Sequence, residues 1–222
     1  SAPLCIADAN LCSEALTGLT ALARAGGTPL WLEPTSVPKA ALACGWLHAK
    51  GLLSALTYVS PNEDEVCAMA AAIGSGEGGL SSSHGASDDA TVRAAAAALV
   101  RAGVSHVVVT RGARGILWAR AAEPGSSTPA PSDGSDVWME EMPAFNLGEQ
   151  PVVSTRGAGD CFVAGAAWRL QQGAAQRGAG GERMAGADAV REALHAGLKA
   201  AYWSVMDEAA VPDALKAAAL AK

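Results

Sequence analysis

The chain opens on a short apolar run, Pro3 to Ala7, that ends in the polar stretch Asp8-Ala9-Asn10; Leu11, Ala15, Leu16, Leu19, Leu22 and Ala23 then recur at helical spacing. That pattern predicts a strand, a polar tip and a helix stopped by Gly26-Gly27. The same change of period repeats twice. Thr28 to Leu32 predicts a second strand ending at Glu33-Pro34-Thr35-Ser36, followed over Val37 to Lys50 by a helix with Ser36 at its N-cap and Pro38 in its first turn. Leu56 to Ser60 predicts a third strand, and Pro61-Asn62-Glu63-Asp64-Glu65 opens a third helix. Three strand-to-helix units with short connections predict an α/β fold with a parallel sheet covered by helices, in which ligands bind beyond the carboxyl ends of the strands. The polar strand ends therefore gather on one edge.

Further along, Thr91 to Gly103 reads as an Ala-rich helix and Ser105 to Thr110 as a β-branched strand. Arg111-Gly112-Ala113-Arg114-Gly115 makes a glycine turn into Ile116-Leu117-Trp118, and Val137-Trp138-Met139 resumes a strand pattern. Val152-Val153 predicts one more strand, and Val190 to Met206 a long helix. With 50% hydrophobic residues in 222, the chain can bury one sizeable core, so a single domain over 1–222 is expected. Low-complexity surface loops are expected near 74–90, 120–136 and 171–188.

Charge and cysteine content narrow the classes. Sixteen Lys and Arg against 22 Asp and Glu give a net charge of −6 with no basic run, which argues against nucleic-acid binding. Every apolar stretch is interrupted well short of the ~20 residues that a membrane span needs. Cys5, Cys12, Cys44, Cys67 and Cys161 are odd in number and form no C-x-x-C pair, so neither a disulfide framework nor a zinc site is expected, and a reducing, cytoplasmic compartment is. His48, His84, His106 and His195 have no ligand spacing and are given structural or surface roles. The N-terminus lacks an initiator Met, a basic region and an apolar leader segment, and reads as cut rather than natural.

The chemistry concentrates in Val152-Val153-Ser154-Thr155-Arg156-Gly157-Ala158-Gly159-Asp160-Cys161-Phe162, where a strand-like pair leads through a small-residue turn into an apolar helical segment. Gly157 and Gly159 let the backbone take conformations closed to other residues, and the first helical turn leaves N–H groups without intrahelical partners, so the loop can hold an anion. A carboxylate beside an anion repels it unless it has a task. Asp160 suits a general base that takes the proton of an alcohol attacking a phosphoryl group; alternatively it only caps the helix. Asn62 and Glu65, three apart, share one helix face on which a carboxylate could hold hydrated Mg²⁺; alternatively Glu63, Asp64 and Glu65 simply complement the helix dipole.

Ser154 to Gly165 resembles the C-terminal signature of the PfkB, or ribokinase-like, family of carbohydrate and nucleoside kinases: Asp-Thr-x-Gly-Ala-Gly-Asp followed by a small-residue helix. The resemblance implies that Asp160 is the catalytic base and that Gly157, Ala158 and Gly159 form the anion hole. Asn62-x-x-Glu65 resembles the motif serving the magnesium and phosphate region, and Thr110-x-Gly112-x-x-Gly115 the nucleotide loop, although as a bare pattern the latter also suits a hairpin. Ala196 to Val205 resembles the late helix whose small residues, Ala200 among them, flank adenine; core packing explains the same residues. Ser154 and Arg156 depart from the family at positions that help form a monovalent-cation site, so K⁺ activation is not carried over. Trp31 to Ala40, with its Glu-Pro-Thr-Ser stretch, resembles the pseudouridine kinase branch; Glu33 would then sit in the outer magnesium shell, or else cap the next helix. Lys39 could approach phosphate, or be an exposed helix lysine.

The implied fold is a three-layer α/β/α ribokinase-like one with a mostly parallel central sheet, its N-terminal part and lid missing from this chain. The implied function is an ATP- and Mg²⁺-dependent transfer of phosphate to a small sugar or nucleoside, the 5′-OH of pseudouridine first, with ribose, fructose and adenosine as alternatives. Because the acceptor-binding segments and lid are absent, this chain alone is expected to phosphorylate poorly. A non-catalytic, nucleotide-binding or scaffold module is the competing expectation, and the exposed sheet edge would favour association, a homodimer included.

Overall fold

A computed structural model describes residues 3–74, 88–122, 135–148, 150–177 and 185–212. The chain divides into two compact units, Ser1–Arg111 with Ile116–Glu141, and Gly112–Gly115 with Met142–Lys222.

The first unit is built on a sheet whose strands lie side by side in the order of the sequence. They are β1 (Cys5–Asp8), β2 (Leu30–Glu33), β3 (Tyr58–Val59), β4 (His106–Thr110), β5 (Ile116–Ala121) and β6 (Val137–Met142). The first four run parallel and β5 turns back antiparallel to β4, so the glycine turn at 112–115 is a hairpin connection. Helices α1 (Ser13–Gly26), α2 (Val37–Ala49), α3 (Glu63–Ala72) and α4 (Asp89–Arg101) fill the connections. Their ends follow local chemistry. Gly27 closes α1 in the left-handed region at φ 60°, the Asp88 carboxylate accepts the Thr91 N–H at 2.7 Å to start α4, and Ser36 precedes α2 without making a side-chain cap.

Alternation along the strands sorts the sheet into two unlike faces. Leu30, Leu32, Val59, Val107, Val109 and Leu117 pack beneath Leu16 of α1, Leu47 of α2, Met69 of α3 and Leu99 of α4 as one aliphatic core. The opposite face carries a row of rings. Trp31 stacks on Tyr58 with centroids 4.9 Å apart, Tyr58 on His106 at 5.1 Å, and His106 meets Trp118 at 5.8 Å, which meets Trp138 edge-on at 5.2 Å. The register pairs Trp31 with Tyr58, Tyr58 with His106 and His106 with Arg120, whose guanidinium lies 4.6 Å from the Trp138 ring centre.

His106 Nδ1 accepts the Trp118 indole N–H at 3.2 Å, and burial together with the nearby Arg120 charge brings its pKa down from 6.5 to about 4. The sign of the consequence is fixed. Between pH 6.5 and about 4 the unfolded chain takes up a proton that the folded chain refuses, so stability falls as pH drops through this window and is unaffected above it. The loss approaches about 3 kcal/mol. Melting curves at pH 7.5 and pH 5 should show that His106→Gln, which keeps an acceptor, removes most of His106's share of the acid sensitivity; an unchanged difference would place the titration elsewhere.

The second unit is a helix pair, α5 (Ala158–Arg177) and α6 (Ala187–Val205). Small residues set the approach: a Cβ placed on Gly165 would lie 2.7 Å from the Ala200 Cβ and 2.8 Å from the Ala196 carbonyl, and one on Gly197 2.7 Å from the Phe162 carbonyl. Two features differ from the sequence pattern. Val152 and Val153 join no strand among the described residues; they are about half exposed, and the Val153 and Ser154 N–H groups donate to the Val205 carbonyl at the end of α6, at 2.8 and 3.3 Å. A β-branched pair makes a strand only when a neighbouring backbone is there to receive it, and here the helix terminus takes the bonds. α5 also runs on to Arg177, because Ala174 and Ala175 favour helix enough to carry Gly173 within it. The expected loops near 74–90 and 120–136 fall largely outside the described residues, as does His84. Among the described residues no helix is long and apolar enough to cross a membrane.

Candidate active site

In the sheet unit, the carboxyl ends of β2, β3 and β4 bring four of the sequence-predicted residues together. Glu33 closes β2 half-buried, and the Ser60 hydroxyl, one residue past β3, donates to its Oε2. Ser60 Oγ in turn accepts the Trp31 indole N–H at 2.6 Å, so the ring row on the sheet face reaches the carboxylate through one hydroxyl. Asn62 and Glu65 form a reciprocal cap on α3: Asn62 Oδ1 accepts the Glu65 N–H at 2.9 Å, and Glu65 Oε2 accepts the Asn62 N–H at 2.8 Å. Glu65 is only 5% exposed. Burial raises its carboxyl pKa, the Asn62 N–H opposes that rise, and Asp64 adds to it. Thr110 stands beside this cap because its N–H donates to the Pro61 carbonyl at 2.8 Å and it forms a parallel bridge with Asn62.

The remaining predicted residues lie in the other unit. Gly112 is exposed at φ 57°; Gly115 is buried at φ 84°, where a Cβ would stand 2.1 Å from the Met142 carbonyl and 2.5 Å from the Ala144 nitrogen. The backbone crossing at Gly115 admits no side chain. Gly157, at φ 78°, faces the same restriction from the Ala210 carbonyl, 2.6 Å from a notional Cβ. The Gly157 carbonyl accepts the first helical bond of α5 from the Cys161 N–H at 2.8 Å, so Ala158, Gly159 and Asp160 form the first turn, with Gly159 and Asp160 exposed. Helical N–H groups of that turn and the positive end of the α5 dipole suit an anion, and Asp160 stands beside them. The Cys161 thiol and the Ser204 hydroxyl both donate to the Ala210 carbonyl at 3.3 Å, pinning the following segment against the turn. Ala200 is fully buried, and its Cβ lies against the Gly165 position between α5 and α6.

Sequence reasoning missed two residues here. Ser60 joins Glu33 across neighbouring strands, and the only hint was a hydroxyl at a strand end. Arg111 is buried just past the end of the β-branched run, and the only hint was a charged side chain next to Thr110.

A model of the pfkB family of carbohydrate kinases matches residues 2–214. The chain belongs to that family. The pfkB chain is 29% identical to the pseudouridine kinase of Arabidopsis thaliana, over 78% of this chain and 52% of that protein. Aminoimidazole riboside kinase from Salmonella enterica, solved with aminoimidazole riboside and an ATP analogue, superposes with a TM-score of 0.60 at 17% identity, covering 93% of this chain and 55% of that one. Adenosine kinase from Anopheles gambiae, in complex with a diadenosine tetraphosphate, gives 0.63 at 17%, covering 91% and 50%. These likenesses carry the ribokinase-like α/β fold. This pfkB chain spans about half the length of the relatives it matches.

Proposed function

We propose that this chain supplies the nucleotide-binding and catalytic part of an ATP-dependent kinase that phosphorylates a hydroxyl group of a small sugar or nucleoside. The observation that carries the reading is the Gly157-Ala158-Gly159-Asp160 turn: a left-handed glycine, a helix N-terminus offering N–H groups, and a carboxylate exposed in the same turn. Asp160 takes the proton of the attacking hydroxyl as the new O–P bond forms and the bond from the γ-phosphorus to the β,γ-bridging oxygen breaks, ADP leaving, and the N–H groups of the turn hold the phosphoryl oxygens on which charge accumulates.

Thr110, Gly112 and Gly115 would lie along the ATP phosphates and ribose, and Asn62 near the phosphates. Glu65 and Glu33 are hard oxygen donors suited to Mg²⁺. Each has its Oε2 engaged within the protein, which favours contact with a hydrated ion through water. Mg²⁺, when bound, neutralises phosphate charge. The 5′-OH of pseudouridine is the first acceptor to try, supported by the relative at 29% identity. Among the described residues β1 bonds to one neighbour, β2, and it presents Ile6 at 48% exposure, which supports association along that edge.

The test is calorimetric titration of Mg²⁺ with a non-hydrolysable ATP analogue. Saturable binding, weakened about tenfold or more by Glu65→Ala, supports the reading. A folded chain that binds no nucleotide overturns it in favour of a scaffold role.

A further inference from the structure

Arg111 follows Thr110 directly, and its side chain is only 4% exposed. Its guanidinium meets a carboxylate from each of three elements: Nε to Glu63 Oε1 of α3 at 3.2 Å, Nη1 to Glu141 Oε1 of β6 at 3.2 Å, and Nη2 to Asp89 Oδ1 at the start of α4. Arg93 of α4 pairs with Asp89 at 2.7 Å and with Glu141, so the outer part of the cluster has a second cation. Arg111 carries the link to α3. Glu63 sits between Asn62 and Glu65 in the first turn of that helix, and just before the turn the Pro61 carbonyl accepts the Thr110 N–H. Adjacent residues thus grip the start of α3 twice, once through the backbone and once through a buried fork that a single lysine charge could not reproduce.

We propose that Arg111 is a positioning residue: by fastening Glu63 to α4 and β6 it holds the first turn of α3, and with it Asn62 and Glu65, in place at the carboxyl edge of the sheet. The consequence for nucleotide binding rests on the kinase reading above; the consequence for α3 does not. Without the guanidinium, three carboxylates that converge on one cation lose it, while Arg93 still pairs with Asp89 and Glu141. The first turn of α3 then loosens, while the rest of that helix stays packed through Val66, Met69 and Ala70.

The experiment compares the full chain with Arg111→Met, Arg111→Lys and the double variant Arg111→Met/Glu63→Gln. Hydrogen exchange at the Glu65 and Val66 amides, which bond to Asn62, should rise about tenfold or more in Arg111→Met, with the amides of β4 unchanged. Neutralising Glu63 in the double variant should restore most of the protection, a rescue that lost packing alone would not give. If Arg111→Met fails to fold, Arg111→Lys decides, with an intermediate rise expected at the same two amides. Unchanged exchange there, or a rise spread equally over the sheet unit, overturns the proposal. A parallel titration with Mg²⁺ and the ATP analogue should show the dissociation constant rising about tenfold in Arg111→Met. Should the unaltered chain bind no nucleotide, the kinase reading falls, and the exchange result still decides the role of Arg111.

Discussion

Replacing Asp160 by asparagine is expected to slow phosphoryl transfer by about two to four orders of magnitude, the range that a lost general base commonly costs, in any form of the protein that shows kinase activity. Nucleotide affinity should move far less. Asparagine keeps the size of the side chain and its place in the first turn of α5, and it leaves the N–H groups of the turn untouched. What it removes is the capacity to accept the acceptor's proton. The expected signature is therefore a collapse of kcat with the dissociation constant for the ATP analogue within about threefold of its original value, under the rule that a group acting only in the transition state changes rate and not ground-state binding. Equal turnover by Asp160→Asn would remove Asp160 from the chemistry, and lost binding with retained turnover would make it part of the nucleotide site instead.

The second large effect concerns the helix pair. Gly165→Val should destabilise the chain by about 3 kcal/mol or more, which for a protein of this size lowers Tm by about 6–12 °C. The reason is the nature of what the new side chain meets. The Ala200 Cβ at 2.7 Å, the Ala196 carbonyl at 2.8 Å and the Gly197 Cα at 3.2 Å cannot swing aside as the end of a long side chain would. Relief requires the two helices to separate, which opens the contact between Phe162 and Gly197 as well. Gly18, inside α1, is the control: nothing lies within 4 Å of its notional Cβ, so Gly18→Ala should raise stability by roughly 0.5–1 kcal/mol through helix propensity. Thermal denaturation of the two variants should give shifts of opposite sign.

What the sequence disclosed and what it withheld divide along physical lines. The βα units were legible because each is encoded locally: Leu30 to Leu32 buries on both sides of a short strand, and the helices around it begin or end on residues whose chemistry forces a boundary, such as Gly27 closing α1 and Asn62 opening α3. The Gly157 to Asp160 turn was legible because its parts are contiguous. Arg111 was not, since the carboxylates it gathers lie 48, 22 and 30 positions away and only the fold brings them together. The bond from Ser60 to Glu33 is hidden for the same reason. Ala200 illustrates a different limit: a small residue is required equally where a helix meets a ligand and where it meets another helix, and here its Cβ meets the Gly165 position. Val152-Val153 shows that β-propensity describes a readiness to pair, which α6 satisfies by another route.

The strand order of the sheet, identical with the order of the sequence, bears on how the chain is made. Among the described strands, each one after β1 finds the edge it needs already present as it emerges from the ribosome, because its predecessor is its neighbour. Such a sheet can grow by accretion during translation. Its contacts close over one βα unit at a time, which keeps loop entropy low and shortens the interval in which an apolar edge is exposed to other chains.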